Sequence, residues 1–385
     1  MIANDLLLSI IRAELGMADD EKMPNVIDDI TLNSLYTVGK RHDIAHIVAL
    51  WLSKSNIQMP EKVRALFRKE LHLAIFRYER MNYDFRRICD AFECEKIPYI
   101  PLKGAVIRKY YPQPWIRTSC DIDILVKEED LERAINVLSC KLSFKSNRKR
   151  DYHDVSMFSE SNTHLELHFN IKENMKNVDG VLSDVWEYAE LDGDVEYRYK
   201  LSNEFLLFHI ISHMAYHIKC GGVGIRAFID LYLLEKNITY DESELSRLCE
   251  KCSIETFRKN VEKLSGVWME KREQDTVSAQ LQDFVLNGGL YGDIQNAAAI
   301  NQSKDGGRGK YLFSLIFQPY EVLKEKYPVL KKHKWLIFIY QVKRWFDIIG
   351  SNRRKNAVRY LKAGKDLTEK EVDNKIKLFK DLGIY

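Results

Sequence analysis

Asp121 and Asp123 stand in the run Asp121-Ile122-Asp123-Ile124-Leu125-Val126, where carboxylates alternate with apolar side chains. Alternate side chains of a strand share a face, so both carboxylates are expected on one side and Ile122 and Ile124 in a core on the other. Two carboxylates held side by side repel each other, and loss of solvent sharpens the conflict. A fold accepts that arrangement chiefly when a divalent cation compensates the charge. Mg²⁺ takes oxygen ligands and keeps waters or substrate phosphates in its other positions, and Mn²⁺ suits the same donors. Two such ions about 4 Å apart activate an attacking hydroxyl and stabilise a leaving pyrophosphate.

That chemistry calls for a third carboxylate and a phosphate cradle. Glu166 lies in His164-Leu165-Glu166-Leu167-His168, again an alternating pattern, and can join the aspartates from a neighbouring strand. Gly104 follows an apolar run and precedes a helical one. Its backbone N–H groups are therefore placed to meet phosphate oxygens at a helix N-terminus, with Lys103 adding a point charge. Arg117 lies between and has two readings, neutralising the aspartates or contacting a substrate phosphate.

The elements that must position these residues follow from periodicity. Short apolar or alternating runs at 97–102, 122–126, 155–158 and 165–169 read as strands, with helical spacing over 128–138 and a hairpin near 197–201. Strand, helix, strand, helix and further strands make residues 96–202 a small α+β (mixed α/β) unit. Residues 1–95 form an N-terminal helical region, with helices near 6–11 and 44–52 and a long one opened by Pro60. Residues 203–385 read as a C-terminal helical domain, including helices at 203–219, 226–235 and 242–250. Lys145 with Arg148-Lys149-Arg150 reads as a basic loop.

A glycine, a gap, an apolar-flanked Asp-x-Asp and a third acid in an apolar strand together resemble the DNA-polymerase-β-like nucleotidyltransferase superfamily. More narrowly, Leu102-Lys103-Gly104, Arg117 before Asp121-Ile122-Asp123, and Glu166-Leu167-His168 are similar to an uncharacterised bacterial nucleotidyltransferase family. The resemblance covers about 97–234. It implies a polymerase-β-like sheet with Asp121 and Asp123 as metal ligands, Glu166 as the third acid, and Gly104 with Lys103 as phosphate contacts. It also implies a two-ion Mg²⁺ site and a nucleoside triphosphate whose monophosphate moves to an acceptor hydroxyl, releasing pyrophosphate. His213, Arg226 and Asp230 match helices beside the family's active site, and count with Arg117 as candidate nucleotide contacts. The superfamily usually has Gly-Ser at the phosphate loop, whereas this chain has Gly104-Ala105 and no hydroxyl there.

The acceptor is left open among small molecules, proteins and RNA. Two alternatives stand beside the enzyme reading: a non-catalytic nucleotide-binding or interaction protein on the same fold, and an RNA-directed transferase. His209, His213 and His217 recur every four residues along one helix face, but no carboxylate or thiolate is specified to complete a zinc site. Arg226 and Asp230, one turn apart, also read as an intrahelical ion pair. Cys249-x-x-Cys252 has no second pair, and Gly306-Gly307-Arg308-Gly309-Lys310 lacks the phosphate-loop spacing, so the bland readings are a chance pair and a flexible connection.

Composition sets the outer limits. The 385 residues are 45% hydrophobic and 30% charged, which excludes a disordered or collagenous chain. The net charge of +3 is unevenly spread. Residues 324–365 carry thirteen Lys/Arg against two acids, a local +11 that leaves −8 elsewhere, with Trp335, Phe338, Tyr340, Trp345 and Phe346 interleaved. Such a segment contacts RNA or an anionic membrane, or else forms core helices with buried aromatics and solvated basic faces. The last is the favoured expectation. Seven scattered cysteines, no cationic leader and no uncharged apolar run of about 18 residues predict a cytoplasmic protein without a transmembrane segment.

Overall fold

Alternation of apolar and polar side chains gives the central sheet two chemically different faces. The computed structural model describes residues 3–17, 23–150, 152–193, 195–290, 292–304, 306–349 and 353–385. Strands β1 (Tyr99–Pro101), β2 (Asp121–Val126), β3 (Lys145–Arg150), β4 (Asp154–Phe158) and β5 (His164–His168) form one sheet in the order β1-β2-β5-β4-β3. β2 and β5 are parallel, and the other neighbours are antiparallel. Ile122, Ile124 and Val126 of β2, with Leu165 and Leu167 of β5, enter a single apolar cluster. Asp121, Asp123, Glu166 and His168 fall on the opposite face by the same alternation.

Helices pack on both faces. In chain order they begin α1 (Ala3–Glu14), α2 (Asp29–Arg41), α3 (Ala45–Lys54), α4 (Glu61–Cys94), α5 (Lys103–Ile107), α6 (Leu131–Leu142), α7 (Asp179–Ser183), α8 (Asn203–Cys220) and α9 (Ile225–Asn237). Met81, Ile88 and Phe92 of α4 and Leu131, Val137 and Leu138 of α6 cover the apolar face. A larger cluster joins α1, α3, α8 and α9 and also takes in Leu125, Leu378, Phe379 and Leu382. α8 is capped by Ser202, whose hydroxyl accepts the Phe205 N–H. The fold is thus α+β, a small mixed sheet set among many helices.

Two sequence expectations need correction here. Lys145–Arg150 is a strand, not a loop: it pairs antiparallel with β4 at the sheet edge. Edge strands carry charge that discourages pairing with other chains, and so lack the apolar alternation that marks a buried strand. The second concerns the aromatics of the basic segment. Trp335, Phe338 and Phe346 are 72%, 77% and 70% exposed rather than buried. In the helix Ile337–Ile349 it is the polar Gln341 and Arg344 that turn inward. Their side chains donate to the carbonyls of Gln318 and Leu315, and half-buried Trp345 adds its N–H to the Ile316 carbonyl, so this contact face is fastened largely by hydrogen bonds. Cys249 and Cys252 are simply buried in the larger core. Among the described residues no helix is long and apolar enough to cross a membrane.

Candidate active site

Register between β2 and β5 builds the acidic centre. Asp123 lies directly opposite Glu166, and Asp121 opposite His164. Oxygen and nitrogen atoms of Asp123, Glu166 and His168 lie within 4.8 Å of one another, as do those of Asp121, His164 and Glu166. His168 Nε2 is 3.1 Å from Asp123 Oδ1 and 3.6 Å from Glu166 Oε2, and its ring stacks on His153. Sequence reasoning took Glu166 from its strand and passed over His168, although the two-residue spacing already puts both on one face.

The electrostatics of this centre are those of excess negative charge. Burial, then the charges of Asp123 and Asp121, push Glu166 up to about 7. Asp121 is raised by burial and by Asp123. Burial also opposes ionisation of Asp123, yet Lys103 and His168 hold its carboxyl well below the usual range. Lys103 Nζ is 3.3 Å from Asp123 Oδ1, where it balances one of three carboxylates.

Lys103 opens α5 with φ +40°, a left-handed conformation that a residue with a Cβ rarely adopts. The next residue must be small. A Cβ on Gly104 would lie 2.7 Å from Arg117 Nη1 and 3.3 Å from Ser119 Oγ. Ser119, which sequence reasoning did not single out, therefore brings a hydroxyl beside Gly104 although Ala105 has none. Arg108 Nη2 donates to that hydroxyl at 3.0 Å.

Arg117 does not neutralise Asp121 and Asp123. Its Nε and Nη2 bind Asp230 at 2.9 and 2.7 Å, and Tyr111 donates its hydroxyl to the same carboxylate at 2.6 Å. The third nitrogen, Nη1, is buried beside Gly104 without a hydrogen-bond partner. Nor do Arg226 and Asp230 form an intrahelical pair, because Asp230 is taken by Arg117. Arg226 Nη1 instead donates to the Thr118 carbonyl at 2.7 Å and lies 3.6 Å from Asp43.

From α8, His213 donates its Nδ1–H to Glu173 at 2.6 Å, and its Nε2 lies 3.0 Å from Nε2 of His217. Glu173 is the carboxylate that the sequence did not specify, though among the described residues these side chains form no metal-binding group. His209 is buried, and burial followed by the charge of Lys103 lowers its pKa to about 3. Burial opposes ionisation of Glu173, but His213 outweighs it and holds the carboxyl at about 2. A depressed folded-state pKa stabilises the fold above the ordinary glutamate value, and that contribution fades as pH falls through it towards about 2. Glu173→Gln is therefore expected to cost roughly 1–3 kcal/mol at pH 7. Denaturant titrations should show the gap from the parent protein narrowing below about pH 4.5.

Lys103, Gly104, Arg117, Asp121, Asp123, Glu166, His213, Arg226 and Asp230 all line one cleft of about 340 Å³. Three clustered carboxylates with an unbalanced charge can hold a divalent metal ion, and the donor set is that of a hard cation. The unpartnered Arg117 Nη1 and the space that a Gly104 Cβ would fill suit an anion beside it.

The family model described as uncharacterised nucleotidyltransferase matches residues 28–269, a span containing all nine of these positions. Neither a curated protein nor a solved structure matches the chain significantly. With well over half of its length matched, the chain belongs to this family of uncharacterised nucleotidyltransferases.

Proposed function

We propose that the cleft transfers a nucleoside monophosphate from a nucleoside triphosphate to an acceptor hydroxyl. The bond from the acceptor oxygen to the α-phosphorus forms, the α–β phosphoanhydride bond breaks, and pyrophosphate leaves. The observation that carries the reading is the register of β2 on β5, which gathers Asp121, Asp123 and Glu166 beside the Gly104 cradle. Asp121, Asp123 and Glu166 would hold Mg²⁺, or Mn²⁺, in a one- or two-ion arrangement. When bound, the metal supplies charge compensation for the triphosphate and acidifies the attacking hydroxyl.

The chain's own groups have distinct parts. Lys103 lies 3.3 Å from Asp123 and, with a cation held on that carboxylate, would be free to meet a phosphate oxygen. Arg117 offers Nη1 to the triphosphate while Asp230 fixes the rest of its guanidinium. Glu166 orients the acceptor hydroxyl and takes its proton. His213 and Arg226 contribute the walls from α8 and α9. Ser119 supplies beside Gly104 the hydroxyl that Ala105 lacks, which supports the catalytic reading over a non-catalytic nucleotide-binding one.

Titration calorimetry with a non-hydrolysable triphosphate tests the first half of this reading. Binding should require Mg²⁺ or Mn²⁺ and vanish with a chelator. Affinity unchanged by the chelator would sink the metal assignment. The second half is read by transfer of α-labelled nucleotide into fractionated small molecules, protein and RNA, with pyrophosphate counted alongside.

A further inference from the structure

The helix Ile337–Ile349 presents an apolar stripe to solvent. Phe338, Ile339, Val342 and Phe346 are all exposed and recur at i, i+1, i+4 and i+8, with exposed Trp335 in the turn just before. At about 100° per residue these positions fall within a single arc on one side of the helix. Exposed Lys343 lies at one border of that arc, and exposed Lys334 stands in the turn that leads into the helix. The patch continues onto the neighbouring helix Arg308–Ile316. There exposed Phe313 stacks on Phe317, which meets the edge of Trp345. Contiguous apolar patches of this kind are uncommon on soluble monomers and mark a surface that something covers.

Charge identifies the cover. The stripe sits inside the segment 324–365, with its thirteen Lys/Arg and two acids. One of those acids, Asp347, accepts the Tyr327 hydroxyl at 2.9 Å. A second copy of the chain would bring two such basic segments together, so self-association is opposed by charge. RNA would meet the lysines, but Ile339 and Val342 stack no base and stand between the two phenylalanines. A basic-flanked helix with aromatic and aliphatic side chains on one arc fits the headgroup–acyl boundary of an anionic bilayer, where tryptophan is also favoured.

We propose that this face docks the protein on an anionic membrane surface, with Ile337–Ile349 lying in the interfacial plane. The proposal is independent of the reaction in the cleft. Co-sedimentation of the full chain with phosphatidylcholine vesicles, with and without phosphatidylglycerol, tests it. Anionic vesicles should bind at least about tenfold more strongly than neutral ones. Phe338→Ser/Phe346→Ser should weaken binding to anionic vesicles by about tenfold or more. Lys334→Gln/Lys343→Gln should weaken it by about tenfold through charge alone. Circular dichroism must stay unchanged, as expected for exposed side chains. The proposal is overturned by absence of binding to anionic vesicles, or by equal binding of the phenylalanine variant. It is also overturned if that variant loses instead a dimer seen by sedimentation velocity, or a retarded RNA band.

Discussion

Asp123→Asn is expected to lower nucleotidyl transfer by about a thousandfold while leaving the fold in place. Asp123 is 4% exposed, faces Glu166 across β2 and β5, and is the carboxylate nearest both Lys103 and His168. Asparagine keeps its shape but removes the charge that most favours a cation, and its amide N–H groups face donors on Lys103 or His168. The loss should be in turnover and in metal-dependent triphosphate binding together, because both depend on the same carboxylate cluster. Stability should fall by about 1–3 kcal/mol, since Lys103 loses its nearest counter-charge. Glu173, Glu166 and Asp121 still offset that charge, so the fold survives. Pyrophosphate release and label transfer measure the first effect, and thermal melting the second. A variant that transfers label at the parent rate would remove these acids from the reaction. Parent protein without transfer to any acceptor, but with metal-dependent binding lost in the variant, would instead mark a nucleotide-binding protein.

The centre of this site was legible in sequence because its determinants are local. Period-two alternation alone placed Asp121 with Asp123 and turned Ile122 and Ile124 to a core, and the same pattern nominated Glu166. Gly104 was legible as a glycine between a strand and a helix, although the reason for it, the approach of Arg117 Nη1, was not. What could not be read was long-range. Arg117 and Asp230 are 113 residues apart, and nothing in either segment names the other. Glu173 reaches His213 across 40 residues, and Asp43 meets Arg226 from a helical region that spacing never linked to the sheet. β3 escaped because a charged edge strand has no apolar pattern to betray it. The helix Ile337–Ile349 shows the limit of hydrophobicity as a guide. Its aromatics read as core residues, yet the fold buries Gln341 and Arg344 against carbonyls and leaves Phe338 and Phe346 outside.

Asp230→Ala is expected to be the most destabilising single change in the cleft, at about 3–5 kcal/mol. Arg117 and Asp230 are 6% and 4% exposed, and their two parallel hydrogen bonds satisfy two nitrogens, Nε and Nη2, of a buried guanidinium. Removing the carboxylate strands that cation and leaves the Tyr111 hydroxyl without its acceptor. A buried pair is costly to break from one side but much less so to replace from both. Arg117→Met/Asp230→Leu should therefore recover most of the loss, and its cost should be smaller than the sum of Arg117→Met and Asp230→Leu. Denaturant midpoints for the parent protein, those two single variants and the double variant complete the cycle, with Asp230→Ala measured alongside. The double variant also separates folding from binding. With stability restored but no Nη1 beside Gly104, triphosphate affinity should stay at least about tenfold down, the worth of one charge-assisted hydrogen bond. Unchanged melting of Asp230→Ala would show the pair to be dispensable to the fold. Full affinity in the double variant would leave Arg117 a purely structural residue and hand the phosphate to Lys103 and the Gly104 backbone.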